Sequence, residues 1–384
     1  MSRPRVFFYV QYLQGVGHLF RATRIVRALT AAGLDVDIVS GGMPVPGLDI
    51  GGGRLRQLAP VQCLHGIFND LRDGQGRPVD AAFKTRRRDA LLALFRNRKP
   101  VAVIVEAFPF GRRQMDFELK PLLEEIAAAR PKPFVLSSVR DILQANRKPR
   151  RIAETVDIIN AGFDAVLVHG DPAFAAIEET FPAARRIAGK IHYTGLVSGP
   201  ARHAAPLAAA TAGEVVVSAG GGATHSEKLL RTALAARPMS RLRDRPWRLL
   251  AGPNLPDGEY EALKAIVPAG VVVEPNRGDF AALLAVCAVS ISQAGYNTVV
   301  ELLQAGCRSV VVPYAARGET EQSFRSARLQ KRKLAYCVPE SRLTPETLAA
   351  AVDAAHDGPP PARGTVALDG AEKTAEFVDA QLAG

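Results

Sequence analysis

Short apolar runs rich in β-branched and aromatic residues recur along the chain, separated by stretches whose apolar residues repeat with helical spacing. The first run, Arg5–Val10, carries Val-Phe-Phe-Tyr-Val without a polar break, which fits a strand covered by helices on both faces. Residues 19–32 then place Leu19, Ile25, Val26 and Leu29 on one helical face and stop at Gly33, and residues 36–40 form the next strand, a right-handed βαβ unit. The alternation continues with a helix over 81–98, apolar through Phe83, Leu91, Leu92, Leu94 and Phe95. Strands over 101–105, 134–138 and 165–169 follow, with helices near 115–129 and 152–161 between them. Residues 193–213 are a linker of Gly, Pro, Ala and Ser. Strands over 214–218, 247–250, 271–274, 289–292 and 308–313 then alternate with helices again, the last over 322–331. The pattern predicts an α/β protein of two doubly wound domains, residues 1–195 and 196–370. A helical tail, 371–384, has Phe377 and Val378 on one side and is expected to cross back onto the first domain. Residues 41–80, rich in Gly, Pro and Asp, predict a mobile lobe.

The length of 384 residues agrees with two domains of about 100–200 residues each. With 47% hydrophobic and 23% charged residues, the chain is globular rather than disordered. Cys63, Cys287, Cys307 and Cys337 show no paired spacing and read as reduced thiols of a cytoplasmic protein. No run approaches the ~18 apolar residues of a membrane helix. Gln11 interrupts the first apolar run too early for a signal peptide. Lys and Arg exceed Asp and Glu by 49 to 38, and the surplus concentrates in Arg86-Arg87-Arg88, Arg96 through Lys99 and Arg147 through Arg151. Such a face suits an anionic membrane surface or a phosphorylated substrate, and it is equally what a solvated helix face looks like. Without interleaved aromatics or a nucleic-acid motif, no nucleic-acid partner is expected.

The richest chemistry lies between Ser290 and Gly306. A strand runs into the turn Ser292-Gln293-Ala294-Gly295-Tyr296-Asn297, and a helix opens at Thr298. Backbone N–H groups around Gln293, Gly295, Asn297 and Thr298, backed by the helix dipole, would form an anion socket. One turn on, Glu301 could hold two neighbouring hydroxyls, as of a ribose beside a diphosphate. Thr298-Val299-Val300-Glu301 is also a capping box, in which both side chains serve only the helix end. Both readings stay open. Gly220, Gly221 and Gly222, following strand 214–218, would let backbone approach phosphate oxygens. Gly15-Val16-Gly17 begins like a dinucleotide fingerprint, but Phe20 replaces its third glycine and Ser40 its ribose-binding acid, which disfavours a nicotinamide enzyme.

The stretch Ser292 through Leu302, with Val310-Val311-Val312-Pro313-Tyr314 and Glu319-Thr320-Glu321-Gln322, resembles the donor-binding half of the GT-B glycosyltransferases. Within these it resembles the glycosyltransferase family 28 type, that of the peptidoglycan enzyme transferring N-acetylglucosamine from its UDP carrier. The resemblance implies two Rossmann-like domains facing across a cleft and a UDP-sugar co-substrate. It puts Glu301 on the ribose hydroxyls, Gln322 on the donor sugar, the Gly220–Gly222 loop on phosphate and the backbone of Pro275-Asn276-Arg277 on the base. The family's usual Arg is Gln293 here, which removes a charge from the socket.

The turn Gly15-Val16-Gly17-His18 resembles the glycine-His turn of such transferases and of UDP-sugar hydrolases of nonulosonic acid synthesis. His18 could deprotonate an attacking hydroxyl, or simply cap the helix. Glu106, at a strand end, could orient it; Asp141 is the rival, and an ion pair with Arg112 or Arg140 is the structural alternative for either. The remaining histidines show no metal spacing and no Asp-x-Asp occurs, so neither metal nor cofactor is expected. The expectation is a metal-independent, inverting hexosyltransferase of the cytoplasm, peripheral on the inner membrane face if its unknown acceptor is lipid-linked. A hydrolase using His18 to activate water, or a noncatalytic nucleotide-sugar-binding subunit, are the alternatives.

Overall fold

Two parallel sheets organise the computed structural model, which describes residues 3–63, 70–145, 148–199, 212–220, 226–252, 255–275 and 277–383, apart from the side chains of Ser226 and Arg317. The chain divides into two units, Met1–Val197 with Asp369–Gly384, and Ser198–Leu368.

The first unit contains β1 (Arg5–Val10), α1 (Gly17–Ala31), β2 (Asp35–Ser40), β3 (Arg54–Gln57), β4 (Val61–Cys63), β5 (Leu71–Asp73), α2 (Ala81–Arg98), β6 (Ala102–Glu106), α3 (Asp116–Ala128), β7 (Phe134–Arg140), α4 (Pro149–Gly162), β8 (Ala165–His169) and β9 (Ile191–Tyr193). Seven of these strands form one all-parallel sheet in the order β3-β2-β1-β6-β7-β8-β9. Successive residues of the central strands enter different cores, which is why their sequences are apolar without alternation. Phe7, Tyr9, Val103, Val105 and Val135 pack on one face with α2, α3 and α4, and Val6, Phe8, Val10, Ile104 and Leu136 on the other with α1. Connections leave β1 in one direction and β6 in the other. The carboxyl ends of β1 and β6 therefore flank the topological switch point, where open α/β sheets place ligands.

The second unit contains β10 (Val215–Ser218), α5 (Ser226–Ala236), β11 (Trp247–Leu250), α6 (Asp257–Ala265), β12 (Val271–Glu274), α7 (Phe280–Val286), β13 (Val289–Ser292), α8 (Tyr296–Ala305), β14 (Ser309–Val311), α9 (Glu321–Lys331), β15 (Tyr336–Cys337) and α10 (Pro345–Asp357). Its sheet is also all parallel, in the order β12-β11-β10-β13-β14-β15, with the switch point between β10 and β13. The last helix, α11 (Gly370–Ala383), belongs to the first unit, where Ala371, Ala375 and Val378 share the core of α1.

Two expectations change. The described residues of 41–80, read from the sequence as a mobile lobe of little periodicity, carry three strands: β3 extends the sheet as its edge, and β4 and β5 pair antiparallel. All four residues of β3, Arg-Leu-Arg-Gln, are exposed, and Arg54 bridges Asp35 and Asp37 at 2.6 and 3.0 Å, so the strand carries no apolar signal. Nor is α2 a uniformly basic face. Arg87 is fully buried, its Nε and Nη2 on Glu118 at 2.7 and 3.0 Å, its Nη2 also on Gln11 Oε1 at 2.6 Å and its Nη1 on Gly41 O at 2.9 Å. Arg88, Arg96 and Arg98 pair with Asp89, Glu125 and Asp35. Arg147 lies outside the described residues. Among the described residues no helix is long and apolar enough to cross a membrane.

Candidate active site

In the first unit the chain leaves β1 and enters α1 through Gly15-Val16-Gly17. Val16 occupies the N-cap position and no side chain caps the helix. His18, the second helical residue, is therefore not a cap. Its ring turns to the end of β6, where Nδ1 lies 3.0 Å from Glu106 Oε1. Arg21, three residues on and so on the same helix face, ion-pairs with the same oxygen and places Nη2 3.3 Å from His18 Nδ1. Glu106 Oε2 accepts at 2.5 Å from Oγ of Ser138, its direct neighbour on β7. Ser138 Oγ is 2.9 Å from Nε2 of His169, the last residue of β8, whose Nδ1 is 2.9 Å from Thr194 Oγ1, just past β9. Of this chain only His18 is appreciably exposed, at 17% of its side chain.

Burial, and then the nearby Arg112 charge, push the His18 imidazole down to about 3 despite its hydrogen bond to Glu106. Burial alone would raise the Glu106 carboxyl, but the Arg21 charge and the hydrogen bonds from His18 and Ser138 hold it below the usual carboxylate range. At neutral pH the pair is thus a carboxylate beside a neutral imidazole. Asp141 is not the partner; it is buried one strand further on, packed so closely on Gly170 that a Cβ there would stand 2.6 Å from its own. The ion pair of Glu106 is with Arg21 rather than Arg112 or Arg140. Arg112 itself, at φ +64°, donates from Nε to Gln11 O at 2.6 Å. Burial and the neighbouring Arg140 lower its guanidinium to about 10.

In the second unit two turns meet at the switch point. Gly220 follows β10 at φ +72°, a backbone conformation that favours glycine, and a Cβ on it would make ordinary contact, 3.8 Å, with Gln293 Oε1 of the turn after β13. A Cβ on Gly252, after β11, would stand 2.5 Å from Gly220 O, so that loop needs glycine as well. Gly221, Gly222 and Asn276 lie outside the described residues. After β13, Gly295 takes the N-cap position at φ −63°, ψ 152°, and α8 starts at Tyr296, two residues before the sequence suggested. Thr298 is thus the third helical residue, and the Thr298–Glu301 capping box is not what ends this helix. Asn297 and Glu301, both half-buried, share a side of α8 with Gln304, whose Nε2 donates to Gly199 O at 2.9 Å.

Gln322, near the start of α9, accepts with one oxygen from the N–H groups of Ala294 (3.0 Å) and Tyr314 (3.1 Å), tying the turn after β13 to the loop after β14. Any contact of Gln322 with a ligand therefore runs through its Nε2. Below it Arg325, fully buried, donates from Nη1 to Ala294 O at 3.0 Å, pairs with buried Glu321 at 3.1 Å and stacks 5.8 Å from the Tyr296 ring. The Ala294 peptide is held from both sides. Sequence reasoning missed Arg325; its place one helical turn from Glu321 and Gln322 was the available signal.

Residues 215–374 match the glycosyltransferase family 28 C-terminal domain. That span contains every candidate donor residue named above. Over 230 residues the chain is 32% identical to a "UDP-N-acetylglucosamine--N-acetylmuramyl-(pentapeptide) pyrophosphoryl-undecaprenol N-acetylglucosamine transferase" of Methylibium petroleiphilum, covering 57% of this chain and 56% of the relative's length. A protein of the same name from Allorhizobium ampelinum is 27% identical over 344 residues, covering 87% of this chain and 82% of that one. Among solved structures, the glycotransferase of kitacinnamycin superposes over the whole of both chains with a TM-score of 0.67 at 15% identity, a likeness of fold. The chain resembles the GT-B glycosyltransferases, with two Rossmann-like units.

Proposed function

We propose that the chain is a glycosyltransferase that moves a hexosyl group from a nucleotide-sugar donor, a UDP-sugar, to an acceptor hydroxyl. The observation that carries this reading is the paired switch-point chemistry. One unit holds a neutral imidazole oriented by a buried carboxylate, and the other, in the span matching a glycosyltransferase domain, holds two glycine turns beside a helix start. His18 takes the proton of the acceptor hydroxyl as its oxygen attacks the anomeric carbon. The bond to the nucleoside diphosphate breaks on the opposite face, and configuration inverts. Charge growing on the diphosphate is met by backbone N–H groups near Gly220 and at the start of α8, which is why no metal is required in this reading. Glu301 binds the ribose and Gln322 Nε2 the sugar. The names of the relatives carry a UDP-linked donor and a pyrophosphoryl-undecaprenol acceptor, which supports UDP and a lipid-linked acceptor.

The test is UDP, GDP or TDP release from a panel of nucleotide sugars, with and without a lipid extract. UDP release that depends on the extract is expected. Equal release with free sugar as the product points to hydrolysis, and no release from any donor overturns the assignment.

A further inference from the structure

His18 Nδ1 lies between two groups that would fix opposite tautomers. Glu106 Oε1, at 3.0 Å, can only accept and calls for a hydrogen on Nδ1. Arg21 Nη2, at 3.3 Å, can only donate and calls for a bare Nδ1. The outcome decides what the ring offers a substrate: with the hydrogen on Nδ1, Nε2 keeps its lone pair and can take a proton; with it on Nε2, the ring can only donate. It turns on how the carboxylate is held, since a small rotation of Glu106 would give Oε1 to Arg21 alone.

The other carboxylate oxygen is where the fold intervenes. Ser138 has one hydroxyl hydrogen, and its 2.5 Å contact with Oε2 spends it there. Its oxygen must then accept from His169 across 2.9 Å, so His169 carries its hydrogen on Nε2 and presents a bare Nδ1 to the Thr194 hydroxyl at 2.9 Å. Gly195 O, at 3.1 Å, is the more distant acceptor for that hydroxyl, and Val168 O already takes the N–H groups of Gly170 and Thr194. One arrangement of hydrogens therefore runs through the whole series, from Thr194 to His169 to Ser138 to Glu106, with His18 donating from the far side. Burial lowers His169 to about 3, which keeps it neutral with a single ring hydrogen. Glu106 ends β6 and pairs directly with Ser138 of β7, His169 ends β8 two residues beyond the partner of Ser138, and Thr194 follows β9, so four neighbouring strands of one sheet hold the series.

The geometry points to Ser138, His169 and Thr194 as positioning residues that lock the Glu106 carboxylate and thereby fix the His18 tautomer with its hydrogen on Nδ1 and its lone pair on Nε2. The consequence for turnover rests on the reading of His18 as the base; the tautomer itself is a property of the resting protein and is measured without turnover.

The experiment is long-range ¹⁵N–¹H correlation of the histidine rings in the full chain, with His18 assigned by its loss in His18→Ala. The wild-type spectrum should show His18 protonated on Nδ1. Ser138→Ala and His169→Phe should move it toward Nε2–H and lower turnover about 10- to 100-fold at unchanged UDP affinity. His169→Gln, which keeps a donor where Nε2 was, should restore both. His18 protonated on Nε2 in the wild type overturns the inference, and that result needs no variant to fold. So does a Ser138→Ala or His169→Phe protein whose His18 signal is unmoved, or a loss in His169→Gln equal to that in His169→Phe. If His18→Ala keeps full turnover while the tautomer shifts as expected, the positioning role stands and the base assignment falls.

Discussion

Acid should unfold the two units unequally. In the first, His18 and His169 sit near a pKa of about 3, far below the ordinary 6.5. Their folded values are depressed, so between about 6.5 and 3 the unfolded chain binds more protons and stability falls as pH falls. Above about 6.5 neither form is charged and the effect vanishes. Each pH unit inside the window costs about 1.4 kcal/mol per histidine. At pH 5 the pair therefore costs about 4 kcal/mol, a large share of the ~5–15 kcal/mol that holds a domain folded. Glu106 acts in the same direction at lower pH: its folded value is held down, so its contribution is lost as pH drops below its ordinary 4.5.

The sequence offers a convenient reporter. Its one tryptophan, Trp247, lies in the core of the second unit, so fluorescence excited at the indole edge follows that unit while far-ultraviolet circular dichroism follows both. Urea titrations at pH 7 and pH 5 should leave the Trp247 transition nearly in place and move part of the dichroism transition to lower urea. His169→Gln should remove about half of that movement. Coincident transitions by both probes at both pH values, or an unchanged pH response in His169→Gln, would refute the reasoning.

Three further outcomes follow from the sites. Arg325→Met should cost the second unit about 3–5 kcal/mol by breaking its buried ion pair with Glu321, and joint replacement of Glu321 and Arg325 by Met should recover most of it; Trp247 fluorescence in urea checks this, and a neutral single variant contradicts it. Glu301→Ala should weaken UDP binding in calorimetry, and equal affinity removes it from the donor site. His18→Ala should lower turnover roughly 10²–10⁴-fold with donor affinity retained, and His18→Asn should not rescue it, since the helix start does not use this side chain; an active His18→Asn protein sinks the catalytic role.

The central strands were legible because burial on both faces leaves an unbroken apolar run, as in Val6 through Val10. Where an edge strand is held by charges, as β3 is, no such run exists and the sequence reads as loop. Arg86-Arg87-Arg88 read as surface because a run of like charges hides which member points inward, and only the position of Glu118 on another helix shows that Arg87 does. The start of α8 was misplaced because Thr and Glu at capping-box spacing outweighed a Gly that takes the N-cap with its backbone alone. The approach of Glu106 to His18 could be anticipated from strand ends. Ser138, His169 and Thr194 could not, because each is an ordinary polar residue in or just past a strand, and their adjacency runs across the sheet rather than along the chain.

The return of α11 to the first unit bears on the order in which the protein can be completed. Residues 198–368 are an uninterrupted stretch that can close its core as soon as it has been made. The first unit begins earlier, yet the cover over α1 waits until Ala371, Ala375 and Val378 exist. The two crossings between units are joined by the antiparallel bridge of Val197 and Asp369, and Gly370 N–H bonds Leu196 O at 3.1 Å where a Cβ on Gly370 would meet Gly195 O at 2.2 Å. Although domains commonly fold in the order of synthesis, here the unit translated first is the last to be finished, and a lesion near the carboxyl terminus damages the half that holds His18.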